Sequence, residues 1–373
     1  MQDEVVVGED IVLVDEASMA DINIARRLMS VVKKGSMVVF IGDDAQIPSV
    51  GEGNFLFDSI NFEEMPVVKL TKVFRQKESG MLDSITKTRQ GIAFLNNKST
   101  RRQRRGNNFE FRHMMKERIV RNILESYRKM IDGGYDIEDI AVLTPTNIGE
   151  VGAIQINKAL QEEVNPNTGT YRKNEYTFGS KGNERTIRVG DFVMNTENMY
   201  NAKVENKAEI VDVFNGESGI VISVLENSKE IIVDFQGDHV VYSFSEATQK
   251  LTHAWAITIH KSQGSQFKVV LAVVDASATY QINANLLYTA MSRAEEYLGV
   301  FGQAVTFNRA LSKFASHDRN SFLNEFYKIA FETVEAKTEK EKEHLSIKIG
   351  EQMSIEDLSR KVFEKLQEEG SFS

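Results

Sequence analysis

The sequence predicts an α/β protein in which parallel strands alternate with helices and a small all-β segment is inserted. Short runs of β-branched and other apolar residues recur along the chain with helix-period stretches between them, which is the pattern of a parallel sheet. Across residues 186–245 the pattern changes to short strands separated by glycine and asparagine turns, which predicts a small barrel. The 373 residues are enough for two or three domains.

The first part of the chain is predicted to form a short α/β unit. Apolar runs at 11–14 and 37–41 predict two strands, and residues 19–34 between them carry apolar side chains on one helical face. A third apolar run at 66–70 is expected to add a strand. The unit amounts to about half of a doubly wound domain.

A second α/β unit is predicted to begin near Phe109 and to surround the β insert. Helices are predicted at 115–133, 151–164 and 283–294, and strands at 140–144, 190–194, 219–222, 230–234, 255–259, 268–274 and 297–301. The charge-dense stretch 335–370 is predicted to be helical, as a solvated tail or a docking helix. The predicted segments are therefore 1–75, 76–185, the insert 186–250, 251–330 and the tail 331–373.

Composition narrows the classes of function. The chain has no cysteine, so disulfides and thiolate metal sites are excluded and a reducing cytoplasm is expected. Six histidines without close pairing predict no structural zinc, and the apolar runs are too short to span a membrane. A secretory leader is not expected. The net charge of −9 argues against a histone-like surface that is positively charged all over. A local basic and aromatic groove can still hold a single strand of nucleic acid.

Acidic and amide side chains follow the first two predicted strands. Asp15 and Glu16 come directly after the strand at 11–14, while Gly42, Asp43 and Gln46 come after the strand at 37–41. Phosphoryl-transfer sites use such an acid to hold Mg²⁺, its neighbour to orient the attacking water, and an amide near the γ-phosphate. Either segment alone is more typical of a solvated loop. Two adjacent parallel strands, however, would bring them into one crevice.

Two later segments carry side chains suited to phosphate groups. Residues 258–264 offer hydroxyl, imidazole and ammonium donors on a glycine-bearing loop, which suits a nucleic-acid backbone: Thr258, His260, Lys261, Ser262 and Gly264. Tyr288 and Arg293 fall in a predicted helix, and the planar guanidinium of Arg293 could meet a γ-phosphate. Arg75 could do so from a linker, although such an arginine is usually exposed or paired with an acid.

The densest basic run lies at 98–105. Basic runs are unspecific, because they form either a solvated mobile loop or a clamp for phosphates. The mobile loop is the favoured prediction here.

Six segments of the chain resemble motifs of RecD-like superfamily 1B helicases, in the same order and with similar spacing. They lie at 14–19, 42–51, 70–76, 142–146, 257–265 and 287–294, and they resemble motifs II, III and IV, the strand that opens the second motor domain, and motifs V and VI. The resemblance covers residues 10–305. It implies two RecA-like lobes, the first incomplete and the second interrupted by the barrel, and an ATP-driven DNA helicase that needs Mg²⁺ and translocates 5′→3′ on single-stranded DNA.

The resemblance also implies roles for individual residues. Asp15 would hold Mg²⁺, Glu16 would activate water, Gln46 would sense the γ-phosphate, and Arg75 and Arg293 would be arginine fingers. The nucleotide side would include Gly42, Asp43, Gly264, Gln266 and Tyr288, with Gln266 standing where the family commonly has a Glu that contacts the ribose. The DNA side would include Thr258, His260, Lys261 and Ser262, with the β insert along the strand's path.

One departure from the family concerns its phosphate-binding loop. The sequence contains no G-x-x-x-x-G-K-[ST], the loop whose backbone N–H groups and lysine hold the phosphates. One expectation is an enzyme whose N-terminal part, with the phosphate loop, is a separate polypeptide or is missing from this sequence. The alternative is a binding module that retains DNA or partner contacts without hydrolysis. An unrelated nucleotide-binding α/β protein is a third, disfavoured interpretation.

Overall fold

The computed structural model describes residues 6–70, 79–99, 101–168, 173–180, 184–205, 210–315 and 323–335. The chain divides into two compact units: unit 1 draws on residues 1–44, 48–75 and 316–373, and unit 2 on residues 45–47 and 76–315. The predicted tail beyond residue 335 lies outside the described residues, and the predicted division into five segments stays a prediction.

The described ranges contain the following strands and helices. The strands are β1 (Ile11–Val14), β2 (Met37–Phe40), β3 (Gln103–Arg105), β4 (Phe109–His113), β5 (Ile140–Thr144), β6 (Glu175–Phe178), β7 (Arg185–Arg188), β8 (Phe192–Asn195), β9 (Met199–Lys203), β10 (Ile210–Val213), β11 (Ser218–Leu225), β12 (Glu230–Phe235), β13 (Asp238–Ser243), β14 (Leu251–His253), β15 (Ala256–Thr258), β16 (Phe267–Val274) and β17 (Ala294–Gly302). The helices are α1 (Ile22–Val31), α2 (Phe55–Ile60), α3 (Ser79–Arg89), α4 (Lys116–Asp132), α5 (Ala153–Val164), α6 (Phe244–Lys250), α7 (Ala284–Ser292), α8 (Ala304–Ala310) and α9 (Leu323–Glu335). In the described part of the chain, no helix is long and apolar enough to cross a membrane.

Unit 1 is built on two parallel strands. β1 and β2 pair from Ile11 with Met37 to Val14 with Phe40, as the two apolar runs predict. The crossover helix α1 begins where the Asp21 carboxylate accepts a hydrogen bond from the Ile24 N–H (2.7 Å), which satisfies an otherwise unpaired donor of the first turn.

The strand predicted at 66–70 is wrong. These residues are exposed and form no strand, since an apolar run becomes a strand only where a ladder partner is available and Pro66 cannot donate to a ladder. In the described part of unit 1, β1 and β2 pair only with each other. Their side chains are mostly half-buried, and Leu13 is 65% exposed, so this sheet buries little apolar surface.

Unit 2 contains a six-stranded mixed sheet in the order β15-β5-β16-β17-β4-β3. All neighbouring pairs are parallel except β3 with β4 at one edge. β5 is buried along its whole length and β16 along most of its length. Strands of a parallel sheet are covered on both faces, and their sequences are therefore continuous apolar runs. The predicted α/β fold is confirmed, and β5 has the bounds that the sequence predicts.

The inserted β segment forms an open sheet. Its strands run antiparallel in the order β13-β12-β11-β8-β14, and β6-β7 and β9-β10 form separate hairpins. The predicted barrel is not confirmed: among the described residues, β13 and β14 remain at opposite edges of the sheet. Closure needs every strand to have two partners. In the described part of the insert, the β9–β10 hairpin joins β13 only through an isolated bridge between Val204 and Val240. The sheet has its own apolar core around Val193, Val233 and Tyr242.

The basic run at 98–105 ends in a paired edge strand. The Arg104 Nε donates to Glu110 (2.8 Å), Arg112 also binds Glu110, and Arg105 pairs with Asp83. Burial favours a higher pKa for the Glu110 carboxyl, but the hydrogen bonds and charges of the arginines outweigh it and hold the pKa below its usual range. The favoured mobile loop is therefore wrong for residues 103–105, where the charges stabilise the fold.

Candidate functional site

The first group of predicted site residues lies at the carboxyl ends of β1 and β2 in unit 1. Because the two strands are parallel neighbours, Asp15 and Glu16 follow one strand and Gly42 and Asp43 follow the other at the same edge of the sheet. The Ala17 N–H donates to the Ile41 carbonyl (2.8 Å), which ties the two segments together. The acid pair and the glycine loop are therefore neighbours.

Glu16 has a left-handed backbone with φ 49° and ψ 38°. This conformation costs a non-glycine residue about 1 kcal/mol or more and is concentrated at functional sites. The Glu16 N–H donates to the Asp15 Oδ1 (2.7 Å), and a short 3₁₀ turn, Ala17–Met19, follows. The turn holds the two carboxylates in a defined arrangement at the strand end.

Gly42 lies close to other parts of unit 1. A Cβ atom on it would lie 2.7 Å from the Leu56 Cδ2 and 3.0 Å from the Ser18 backbone nitrogen, so a side chain here would require both neighbours to shift. The close approach predicted at this glycine is therefore made by the protein's own chain, and its contact with a nucleotide stays a prediction.

Asp15 has the properties of a single carboxylate ligand for Mg²⁺. Its side chain is exposed at the strand end, and Mg²⁺ in phosphate sites often takes only one or two carboxylates while it keeps several waters. Among the described residues, no group of three or more histidine, aspartate or glutamate side chains could hold a metal. The donor set thus fits a largely hydrated Mg²⁺.

Gln46 belongs to unit 2. Its Oε1 is inaccessible to solvent and has no hydrogen-bond partner among the described residues. A buried acceptor without a donor costs about 1–3 kcal/mol, so such atoms call for an explanation. A water or phosphate-bound proton donor would satisfy it.

The segment resembling motif V follows β15 and forms a 3₁₀ turn, Ile259–Ser262. His260 and Lys261 are exposed side chains, and partial desolvation by the surrounding turn lowers the pKa of each. Ser262 is buried and its hydroxyl donates to the Ile259 carbonyl (2.8 Å), so it shapes the turn. Gly264 has φ +79°, a conformation that favours glycine.

The segment resembling motif VI lies on α7, and its side chains are buried. The Tyr288 hydroxyl accepts a hydrogen bond from Arg89 (3.3 Å), whose guanidinium carbon lies 5.5 Å from the ring centroid. Arg293 is only 2% exposed, and it donates from Nε to the Thr289 carbonyl (3.3 Å) and from Nη1 to the Ser265 carbonyl (3.1 Å). The fork is thus held by backbone oxygens.

Three predicted site residues remain, of which Thr258 is the last residue of β15. Arg75 lies outside the described residues. Gln266 is exposed beside the motif V turn.

Asn285 and Thr289 are buried polar residues on α7 that sequence reasoning missed. They lie four positions apart on a helix that is otherwise mostly apolar. That spacing places both on one helical face and was the only signal available for them.

Two family models and a solved structure match parts of this chain. Residues 2–105 match the family model of an AAA domain, and residues 253–301 match that of a UvrD-like helicase C-terminal domain. A Pif1 helicase from Bacteroides, solved with ADP-AlF3 and single-stranded DNA, matches 87% of this chain and 76% of its own at 20% identity, with a TM-score of 0.48.

Named relatives match most of the chain. The ATP-dependent RecD2 DNA helicase of Deinococcus radiodurans is 27% identical over 304 residues, which are 82% of this chain and 38% of that protein. The RecBCD enzyme subunit RecD of Mycolicibacterium smegmatis is 26% identical over 316 residues, 82% of this chain and 52% of the relative. The chain thus spans about half or less of these relatives. The chain is thus similar to RecD-type helicases over most of its length.

Proposed function

We propose that this chain is the motif II to motif VI part of an ATP-driven DNA helicase that translocates 5′→3′ on single-stranded DNA. The observation that supports this most directly is the acid pair Asp15–Glu16 at the carboxyl end of β1, beside the carboxyl end of its parallel neighbour β2. Ligands of open parallel sheets bind outside the carboxyl ends of the strands. In this proposal the two units correspond to two RecA-like lobes.

The proposed hydrolysis uses a small set of side chains. The Asp15 carboxylate would hold Mg²⁺, which neutralises charge on the phosphates when bound. Glu16 would take a proton from the attacking water, and the Gln46 Oε1 would accept the second hydrogen of that water and so aim its oxygen at phosphorus. Arg293 and Arg75 would stabilise the charge that develops on the transferred phosphoryl group.

The remaining proposed contacts surround the nucleotide and the DNA. Gln266 would accept a hydrogen bond from the ribose. The resemblance implies four further residues on the nucleotide side: Gly42, Asp43, Gly264 and Tyr288. On the DNA side, Thr258, His260 and Lys261 would meet backbone phosphates, and Ser262 would hold the turn that presents them. The β insert would border the strand's path.

Binding of single-stranded DNA is the first expected result. The chain by itself should bind an oligonucleotide weakly and without sequence preference, because the motif V turn does not depend on a phosphate loop. In a fluorescence-anisotropy titration, log K should fall linearly with log salt, by about 0.7 per phosphate contact. Absence of binding at low salt, or an affinity that does not change with salt concentration, would contradict the predicted DNA binding.

Lys261→Ala tests which side chain carries that contact. The variant should bind more weakly for every sequence, with a salt slope reduced by about 0.7. Lys268→Ala is the matched control, since Lys268 is an exposed lysine that pairs with Asp139 (2.9 Å) and should leave both affinity and slope unchanged. Equal losses in the two variants would refute the assignment of Lys261.

A second candidate function is a module that binds DNA or a partner without hydrolysis. It concerns these 373 residues by themselves, which contain no G-x-x-x-x-G-K-[ST]. The two candidates are separated in a reconstituted motor, by which we mean this chain joined at its N-terminus to a RecD-type segment that carries that loop and its helix. DNA-stimulated ATPase that disappears in Glu16→Gln supports the enzyme. A folded reconstituted motor without ATPase supports the binding module.

A further inference from the structure

The backbone of residues 45–47 is held by side chains of unit 2. The Asn285 Nδ2 donates to the carbonyls of Ala45 (3.0 Å) and Gln46 (3.2 Å), and the Gln263 Nε2 donates to the Ile47 carbonyl (3.1 Å). The Ile47 N–H in turn donates to the Thr289 Oγ1 (2.9 Å). All three carbonyls of this short segment are therefore bound by side chains.

The holding groups are themselves fixed. Asn285 is buried, and its Oδ1 accepts a hydrogen bond from the Ala315 N–H (2.9 Å). This contact assigns the amide orientation, because the oxygen must face that donor and the nitrogen must face the two carbonyls. Thr289 is fully buried one helical turn further along α7. Neither side chain can change its rotamer without leaving a buried polar group unpaired.

The side chain of Gln46 contrasts with its backbone. While the backbone on either side of it is bound, the buried Oε1 has no partner among the described residues. An anchored backbone fixes the direction in which the side chain leaves the chain, and no hydrogen bond from the described residues holds the acceptor at its end elsewhere. This is the arrangement expected when a single hydrogen-bond acceptor must be preorganised.

Thr289 also contacts Arg293, the arginine of the segment that resembles motif VI. Its carbonyl accepts hydrogen bonds from the Arg293 Nε (3.3 Å) and from the Ser292 hydroxyl (3.1 Å). One residue thus touches the Gln46 segment through its side chain and the Arg293 fork through its backbone. A shift of α7 along its axis would move both contacts together.

We propose that Asn285 and Thr289 are positioning residues that hold the Gln46 amide in place for the γ-phosphate and its attacking water. The proposal rests on the function proposed above and adds to it the residues that fix the position of the Gln46 side chain. A positioning role predicts a loss in kcat with little change in KM, because the interaction matters when the water is aligned for attack. A purely structural role predicts lower stability with unchanged kinetics of the folded fraction.

The test compares three single variants. Thr289→Val keeps the shape of the side chain and removes the hydroxyl, whereas Thr289→Ser keeps the hydroxyl and should restore function. Thr306→Val is the matched control, since Thr306 is a buried threonine on α8 outside the site. In the reconstituted motor, Thr289→Val should lower kcat by about 10- to 100-fold, the effect of a misplacement near 1 Å, while the other two variants remain near the parent.

A second measurement does not depend on hydrolysis. Hydrogen exchange of the Ile47 amide in this chain should be faster in Thr289→Val than in Thr289→Ser or Thr306→Val, because only the first removes its acceptor. Parent-like exchange or parent-like kcat in Thr289→Val, measured against an active parent, would overturn the positioning role and leave the proposed function intact. An inactive parent motor would overturn the proposed function and this role with it.

Discussion

Replacement of Arg293 by lysine should reduce ATP turnover of the reconstituted motor by about 10³-fold, the low end of the effect of an arginine finger. Lysine keeps the positive charge but loses the planar fork that meets two phosphate oxygens at once. Since this contact matters most in the transition state, nucleotide affinity should change far less than turnover. Steady-state kinetics and an equilibrium titration with a fluorescent nucleotide measure the two effects separately.

The burial of Arg293 demands a control for folding. Its two bonds to backbone carbonyls would be weakened in the variant, so unit 2 could be destabilised whatever its catalytic role. Arg188→Lys provides the comparison, because Arg188 is also buried (6% exposed) and binds Glu162 (2.8 Å) far from motif VI in the sequence. Turnover of Arg188→Lys should stay within a few-fold of the parent at a temperature where both variants are folded. Near-parental turnover in Arg293→Lys would refute the assignment of Arg293 as an arginine finger.

The chain by itself should show negligible ATPase, and unit 1 should be its least protected part. β1 and β2 form a two-stranded sheet in the described part of unit 1, and Leu13 is largely exposed. A sheet of two strands is marginal in water, and few buried contacts imply low local stability. In hydrogen exchange, the amides of β1 and β2 should be protected about 100-fold less than those of β5 and β16.

Addition of the phosphate-loop segment should reverse both results. A further strand would cover the open edge of the sheet, and the loop would supply N–H groups and a lysine for the phosphates beside Asp15. We expect slower exchange in β1 and β2 and DNA-stimulated hydrolysis that Glu16→Gln abolishes. Glu16-dependent hydrolysis by the chain without that segment would contradict the prediction, since another group would then have to hold the phosphates.

Strands whose apolar runs are buried on both faces were predictable from the sequence alone. The bounds of β5 and nearly those of β16 follow from unbroken runs of Ile, Val, Leu and Ala, because burial of the whole strand removes the need for polar alternation. The run at 66–70 has similar composition, but no neighbouring strand pairs with it. Composition reports whether a segment can be a strand, and a partner decides whether it becomes one.

Partners of charged residues were not predictable. The run at 98–105 reads as a solvated loop because its sequence holds no acid, whereas Glu110 and Asp83 reach it from β4 and α3. The barrel was overpredicted for a related reason. Strand length and turn spacing are local properties, but closure depends on the pairing of the first and last strands, which no local pattern specifies.

The sequence by itself determined which acids and amides follow β1, β2 and β15, and in what order. Those features are local, because a strand end and the residues after it are contiguous in the chain. Only the tertiary structure decided that Ser262 is turned inward, that Gly42 lies against the backbone of Ser18, and that Asn285 and Thr289 hold the segment of Gln46. Hydrogen bonds between residues some 240 positions apart depend on how α7 packs, and packing is a property of the folded chain as a whole.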